Sequence, residues 1–163
     1  MSRTRPITSD ELRRLLRELD EPARLAVMIC ADTGLRISDI LSIQPGQLGP
    51  TMKIVEQKTG KLRTVKLRKK TLEAARKYAK YSGKYLIDRD RSTIYRQIHS
   101  TAEQLGMAHV SMHSIRKYYA SRYYRAHGLA ATQRELRHDF LSTTLLYLFD
   151  PYEEDEKNVY PDR

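Results

Sequence analysis

The stretch TMKIVEQKTGKLRTVKL, residues 51–67, constrains the fold more than any other. Its two β-branched runs, TMKIVE and LRTVKL, flank the turn segment QKTGK, so the whole reads as a β-hairpin. A hairpin alone is marginal in water and needs a second layer against one face. The rest of the chain reads as helices that supply that layer. Thr8-Ser9-Asp10-Glu11 offers a capping box ahead of ELRRLLREL, in which side chains bond the free amides of a first turn. EPARLAVMICADT places Pro22 in a first turn and runs to Gly34, a helix-stop residue. RISDILSI restarts a short helix, which QPGQLGP ends. Helical pattern returns in KKTLEAARKYAKY, STIYRQIHSTAEQL, SIRKYYASRYYRAH, AATQRELRH and STTLLYLF, with KYLI a short extended piece between the first two. The expected fold is mainly α with a small antiparallel β-sheet, an α+β arrangement in one domain.

Charge narrows the partner. The 163 residues carry 30 Lys and Arg against 20 Asp and Glu, a net +10. Residues 150–163 hold six acids and two bases, so the rest of the chain carries +14 once that tail's −4 is set apart. A basic body of this kind suits a polyanion, most simply nucleic acid, although a merely soluble basic protein would show the same total. Cys30 is the one cysteine, which excludes an internal disulfide and a multi-thiolate metal site. No apolar run approaches the ~20 residues of a membrane span. The N-terminal MSRTRPITSDELRR has no signal-peptide core, and an intracellular address is expected.

Several local signals fail as chemistry. Thr59-Gly60-Lys61 echoes a phosphate loop, but no glycine stands five residues before Gly60 and Leu62 follows the lysine. His109 and His113 have the spacing of a helical zinc pair, yet no Glu follows His109 and no third ligand is apparent. Neither a resident metal nor a cofactor is expected. No cluster of acids suggests a two-metal nuclease.

Four separated segments remain. TGLRISDIL offers Arg36 at the start of a short helix, with Asp39 three residues on. The hairpin offers Lys58 at its tip. HSIRKYYA offers His113 and Arg116, which share a face near a helix start. LRHDFLSTTLLYL offers His138 and, nine residues later, Tyr147. Each has a plain structural reading: Arg36 as a solvated or capping residue, His138 as a helix-end polar group, Tyr147 as a packed residue of TLLYLF. HSIRKYYASRYY reads as an amphipathic helix with Ile115, Tyr119 and Tyr123 inward and Arg116, Lys117 and Arg122 in water. Together, however, the order Arg, Lys, His-x-x-Arg, His, Tyr resembles the tyrosine recombinase (phage integrase) family, and the resemblance runs from the first capping box to Tyr147. Arg137 stands where that family usually has glycine.

The resemblance implies a tyrosine recombinase catalytic-domain fold over residues 1–149. It also implies a site-specific DNA recombinase that forms a 3′-phosphotyrosine intermediate without metal or ATP. Arg36 and Arg116 would clamp the phosphate, a task suited to planar, permanently charged forks. Lys58 would protonate the departing 5′ oxygen, His113 would exchange a proton with the attacking phenol, and His138 would bond the phosphate. Tyr147 would be the nucleophile, with Asp39 orienting a basic residue from behind. Expected partners are double-stranded DNA and three further copies in a homotetramer on paired sites, with no membrane and no nucleotide. The expected setting is cytoplasmic and nucleoid-associated, of phage, plasmid or bacterial origin. The acidic tail, 150–163, is expected to pass to a neighbouring subunit, and the family's N-terminal DNA-binding domain is expected to be absent. A DNA-binding regulator that never cuts, or a type IB topoisomerase-like relaxing enzyme, would share much of this pattern.

Overall fold

The computed structural model describes residues 4–138 together with Thr143, Thr144 and Leu148. The chain runs α1 (Ser9–Glu18), α2 (Glu21–Thr33), α3 (Ile37–Leu41), a 3₁₀ turn (Pro45–Gln47), β1 (Thr51–Val55), β2 (Leu62–Lys66), α4 (Lys69–Ala79), α5 (Arg91–Gln104), α6 (Met112–His127) and α7 (Leu129–Leu136). It is mainly helical with one two-stranded antiparallel sheet, as the sequence predicts.

α1 starts at the expected capping box. The Glu11 amide donates to Thr8 Oγ1 at 3.2 Å, and the Thr8 amide donates to Glu11 Oε2 at 3.0 Å. Arg5 forks onto the same carboxylate at 2.8 and 2.5 Å and also donates to the Ala108 carbonyl, which pins the start of the described chain. α2 opens with the Asp20 carboxylate accepting the Ala23 amide at 3.1 Å. It is buried on nearly every side, and Ala23, Ala26 and Ala31 let neighbouring helices come close. α1, α3, α4, α5, α6 and β2 all pack on it.

The end of α2 sets the site. Gly34 adopts the left-handed conformation with φ +65°, and a Cβ there would stand 2.3 Å from Tyr119 Cδ1 of α6. Only glycine meets both demands, so the turn into α3 lies flat against the Tyr119 ring. In the hairpin Thr51 pairs with Lys66 and Val55 with Leu62. Met52, Ile54 and Val65 face the core, and so does Arg63, at 4% exposure. Burying a residue such as Ile54 contributes about 2 kcal/mol. A charge on the same face demands partners, described below.

Two readings change. KYLI is a run of bends, not a strand: the Leu86 amide donates to the Ile43 carbonyl at 2.7 Å, and Leu86 and Ile87 are buried as a plug. α6 begins at Met112, two residues ahead of SIRKYY, where the Ser111 amide donates to Ser114 Oγ at 3.1 Å. Of the expected helix STTLLYLF, Thr143, Thr144 and Leu148 are helical and the other residues lie outside those described. Leu148 packs with Ala120 and Leu136 in a small second core that Tyr119, Tyr124 and Leu129 border. Among the described residues no helix is long and apolar enough to cross a membrane.

Candidate active site

A cleft of about 460 Å³ opens where the ends of five segments meet. The turn into α3 contributes Arg36 and Ser38, the hairpin tip contributes Lys58, and the start of α5 contributes Arg91 and Tyr95. The start of α6 contributes His113 and Arg116, and the residues after α7 contribute Arg137, His138 and Thr143. Five of the six residues singled out by the sequence pattern therefore share one cavity. The sixth, Tyr147, lies outside the described residues. Among the described lining residues there are five guanidinium or ammonium groups and two imidazoles, and no carboxylate. Such a lining favours an anion, because like charges gathered in a partly dry cleft repel one another and a counter-charge relieves that repulsion.

Local structure fixes these groups. Arg36 is the residue before α3, in extended backbone, with no side-chain cap bond. Asp39, buried at 1%, accepts the Gln57 amide at 2.8 Å, so it grips the hairpin backbone next to Lys58. Arg116 is buried at 4%, against the amphipathic reading that put it in water, and it donates to the Leu136 carbonyl at 3.2 Å. His113 sits in the first turn of α6. Partial desolvation at the cleft mouth, followed by the charges of Arg116, Lys117, Arg91 and Arg36, holds its pKa below the usual imidazole range. The ring is thus neutral at neutral pH and able to accept a proton. His138 Nδ1 lies 3.0 Å from Thr144 Oγ1. The tyrosines around them are scaffold. Tyr118 is buried with its hydroxyl 3.3 Å from Ser9 Oγ, and burial, then the bond to Glu135, drive the Tyr119 phenol far above its usual range.

Sequence reasoning missed the ionic cluster behind the cleft. Arg63 Nη2 donates to the Thr33 carbonyl and to Glu135 Oε1, each at 2.6 Å, and Tyr119 donates to the same carboxylate oxygen at 2.7 Å. Glu56, 1% exposed, accepts from Thr59 Oγ1 at 2.8 Å and has Arg137 Nε at 3.6 Å and Arg63 Nη1 at 4.0 Å. Arg137 also donates to the Leu62 carbonyl at 2.7 Å. This cluster ties both sides of the hairpin tip to α6, to the end of α7 and to the α2 terminus. One signal was present in the sequence: Arg63 falls on the inward register of LRTVKL, two residues before Val65. Its partners, up to 72 residues away, leave no local trace.

Arg137 itself adopts φ +53° and ψ +45°, left-handed backbone at the end of α7. That geometry suits glycine, and here an arginine takes it, at a strain of about 1 kcal/mol offset by its bonds to the hairpin.

Comparison with known proteins agrees with this architecture. No curated protein matches the sequence significantly. Among solved structures, XerA recombinase superposes with a TM-score of 0.75 at 22% identity, over 90% of this chain and 59% of that one. A lambda integrase dimer bound to a COC′ core site gives 0.76 at 19%, over 96% of this chain and 51% of that one. The catalytic domain of bacteriophage HP1 integrase gives 0.68 at 19%, over 88% and 86%. The chain thus spans only about half to three-fifths of the first two, while against the HP1 catalytic domain the two lengths nearly coincide. The Phage integrase family model matches residues 5–154, a span that takes in the whole cleft, and the chain belongs to that family of tyrosine recombinases as a catalytic domain.

Proposed function

We propose that this chain cuts and reseals double-stranded DNA at specific sites, with Tyr147 as the nucleophile and Arg36, Lys58, His113, Arg116 and His138 acting on the scissile phosphate. The observation that carries the reading is the cleft, in which the five side chains converge without an acid among them. The Tyr147 oxygen attacks phosphorus, the bond to the 5′ oxygen breaks, and a 3′-phosphotyrosine remains. His113, neutral for the reasons above, takes the phenolic proton. Lys58 gives a proton to the 5′ oxygen, so the leaving group departs as an alcohol. Arg36 and Arg116 hold the non-bridging oxygens, where charge grows in the transition state. His138 Nδ1 is paired with Thr144 Oγ1, which leaves Nε2 as the ring atom to turn toward the phosphate. Thr143 lines the cleft four residues before Tyr147, which supports bringing that phenol to the same place.

The phosphotyrosine ester conserves the energy of the broken bond, so resealing calls on no nucleotide. Solved relatives are described as a dimer on a core site and as a lambda integrase tetramer bound to a Holliday junction. A homotetramer on paired sites is proposed here on that basis, with residues 150–163 passing between subunits.

The test uses a pool of nicked suicide duplexes with randomised arms, from which the 5′ fragment diffuses away after cleavage. A protein–DNA adduct stable to denaturation should accumulate with the native chain and vanish in Tyr147→Phe. An adduct of equal yield in Tyr147→Phe would remove that residue from the chemistry.

A further inference from the structure

The cleft holds more cation than one phosphodiester can use. A single phosphate offers two non-bridging oxygens and one leaving oxygen, which Arg36, Arg116, His138 and Lys58 already satisfy. Two guanidinium groups are left over, Arg91 and Arg137. Arg137 is answered internally, by the buried Glu56 carboxylate at 3.6 Å and by the Leu62 carbonyl. Arg91 has no carboxylate partner among the described residues. Its neighbour Asp90 is spent on the Thr93 amide and hydroxyl, at 2.9 and 2.6 Å. The Arg91 guanidinium instead lies over the Tyr95 ring, 5.5 Å from its centroid, on the wall of the same cleft. That contact seats the guanidinium against the cleft wall, and a planar fork with several N–H donors is suited to receiving a phosphate in two bonds.

We propose that Arg91, seated on Tyr95, forms a second phosphate subsite in the cleft, which holds one of the two DNA backbone phosphates flanking the scissile one. This rests on the recombinase reading. The subsite carries no chemistry. It fixes the register of the strand, so that the bond to be broken falls beneath Arg36 and Arg116 rather than one nucleotide away. The charge of Arg91 already reaches the reaction centre, since it is among the groups that depress the His113 pKa.

The experiment measures affinity of the full chain for a duplex carrying a site recovered from the suicide pool, as a function of salt. The plot of log affinity against log salt should lose about 0.9 of slope in Arg91→Ala, one phosphate contact, and keep the native slope in Arg91→Lys. Tyr95→Ala should weaken binding several-fold, and Tyr95→Phe should not. A duplex with a neutral methylphosphonate at one flanking position should weaken the native chain and Arg91→Lys but leave Arg91→Ala unaffected. Native chain that forms no adduct and shows no salt-dependent binding would defeat the recombinase reading itself. Native chain that forms the adduct, with Arg91→Ala keeping the native slope and responding fully to every flanking methylphosphonate, would defeat the subsite alone.

Discussion

His113 shows how much a single residue's surroundings decide. Partial desolvation and four neighbouring cations lower its pKa, so the folded protein binds a proton there less readily than the unfolded chain does. The sign follows: this group costs no stability above about pH 6.5, the ordinary imidazole value, and stability falls as pH drops below it. Melting curves recorded from pH 7.5 to 5 should therefore show a loss in native protein that is smaller in His113→Asn. The acid limb of adduct formation should likewise lie below about pH 6.5 in native protein. Gly34 makes the same point through shape. Gly34→Ala would put a Cβ into the Tyr119 ring in left-handed backbone, and should cost about 3 kcal/mol, read as a drop in thermal midpoint.

At the scale of elements, the hairpin is held as a lever. Its tip is gripped from one side by Asp39 through the Gln57 amide, and from the other by Arg137 through the Leu62 carbonyl. Beneath it, Glu56 and Arg63 bury opposite charges whose partners come from α7, the residue after it and the α2 terminus. Breaking such a pair strands a charge away from water. Glu135→Gln should cost about 2 kcal/mol, less than a fully buried pair because Glu135 is a quarter exposed. Arg137→Gly should relax the backbone by about 1 kcal/mol yet lose more by leaving buried Glu56 with only the more distant Arg63 to balance its charge, and the hairpin amides should exchange hydrogen faster. If those amides exchanged at the native rate, the tether would have no role in holding Lys58.

For the whole molecule, local rules were enough to reveal most elements, whereas the candidate site needed the order of residues along the whole chain. The Thr8–Glu11 box, the Gly34 stop and the hairpin are short-range devices, and each stands in the structure where the sequence places it. Arg36, Lys58, His113, Arg116 and His138 were visible only as a pattern across the chain, since each alone reads as an ordinary polar residue. What stayed hidden depends on contacts between distant segments. Arg63 with Glu135 is one case, and Arg91 over Tyr95 is another, because a cation and a ring four apart on a helix look the same on any solvated surface. KYLI was misread because Leu86 and Ile87 are β-compatible in composition, whereas their burial comes from plugging the core beside Ile43.

The central claim is that Arg36, Lys58, His113, Arg116 and His138 act on a single phosphate, and the rate of adduct formation at saturating DNA tests it most directly. Arg36→Ala, a change at a half-buried position that leaves the core intact, should slow the step at least ~10³-fold, with Lys69→Ala on the outer face of α4 unchanged. An Arg36→Ala rate within tenfold of native, in protein that melts normally, would contradict the account.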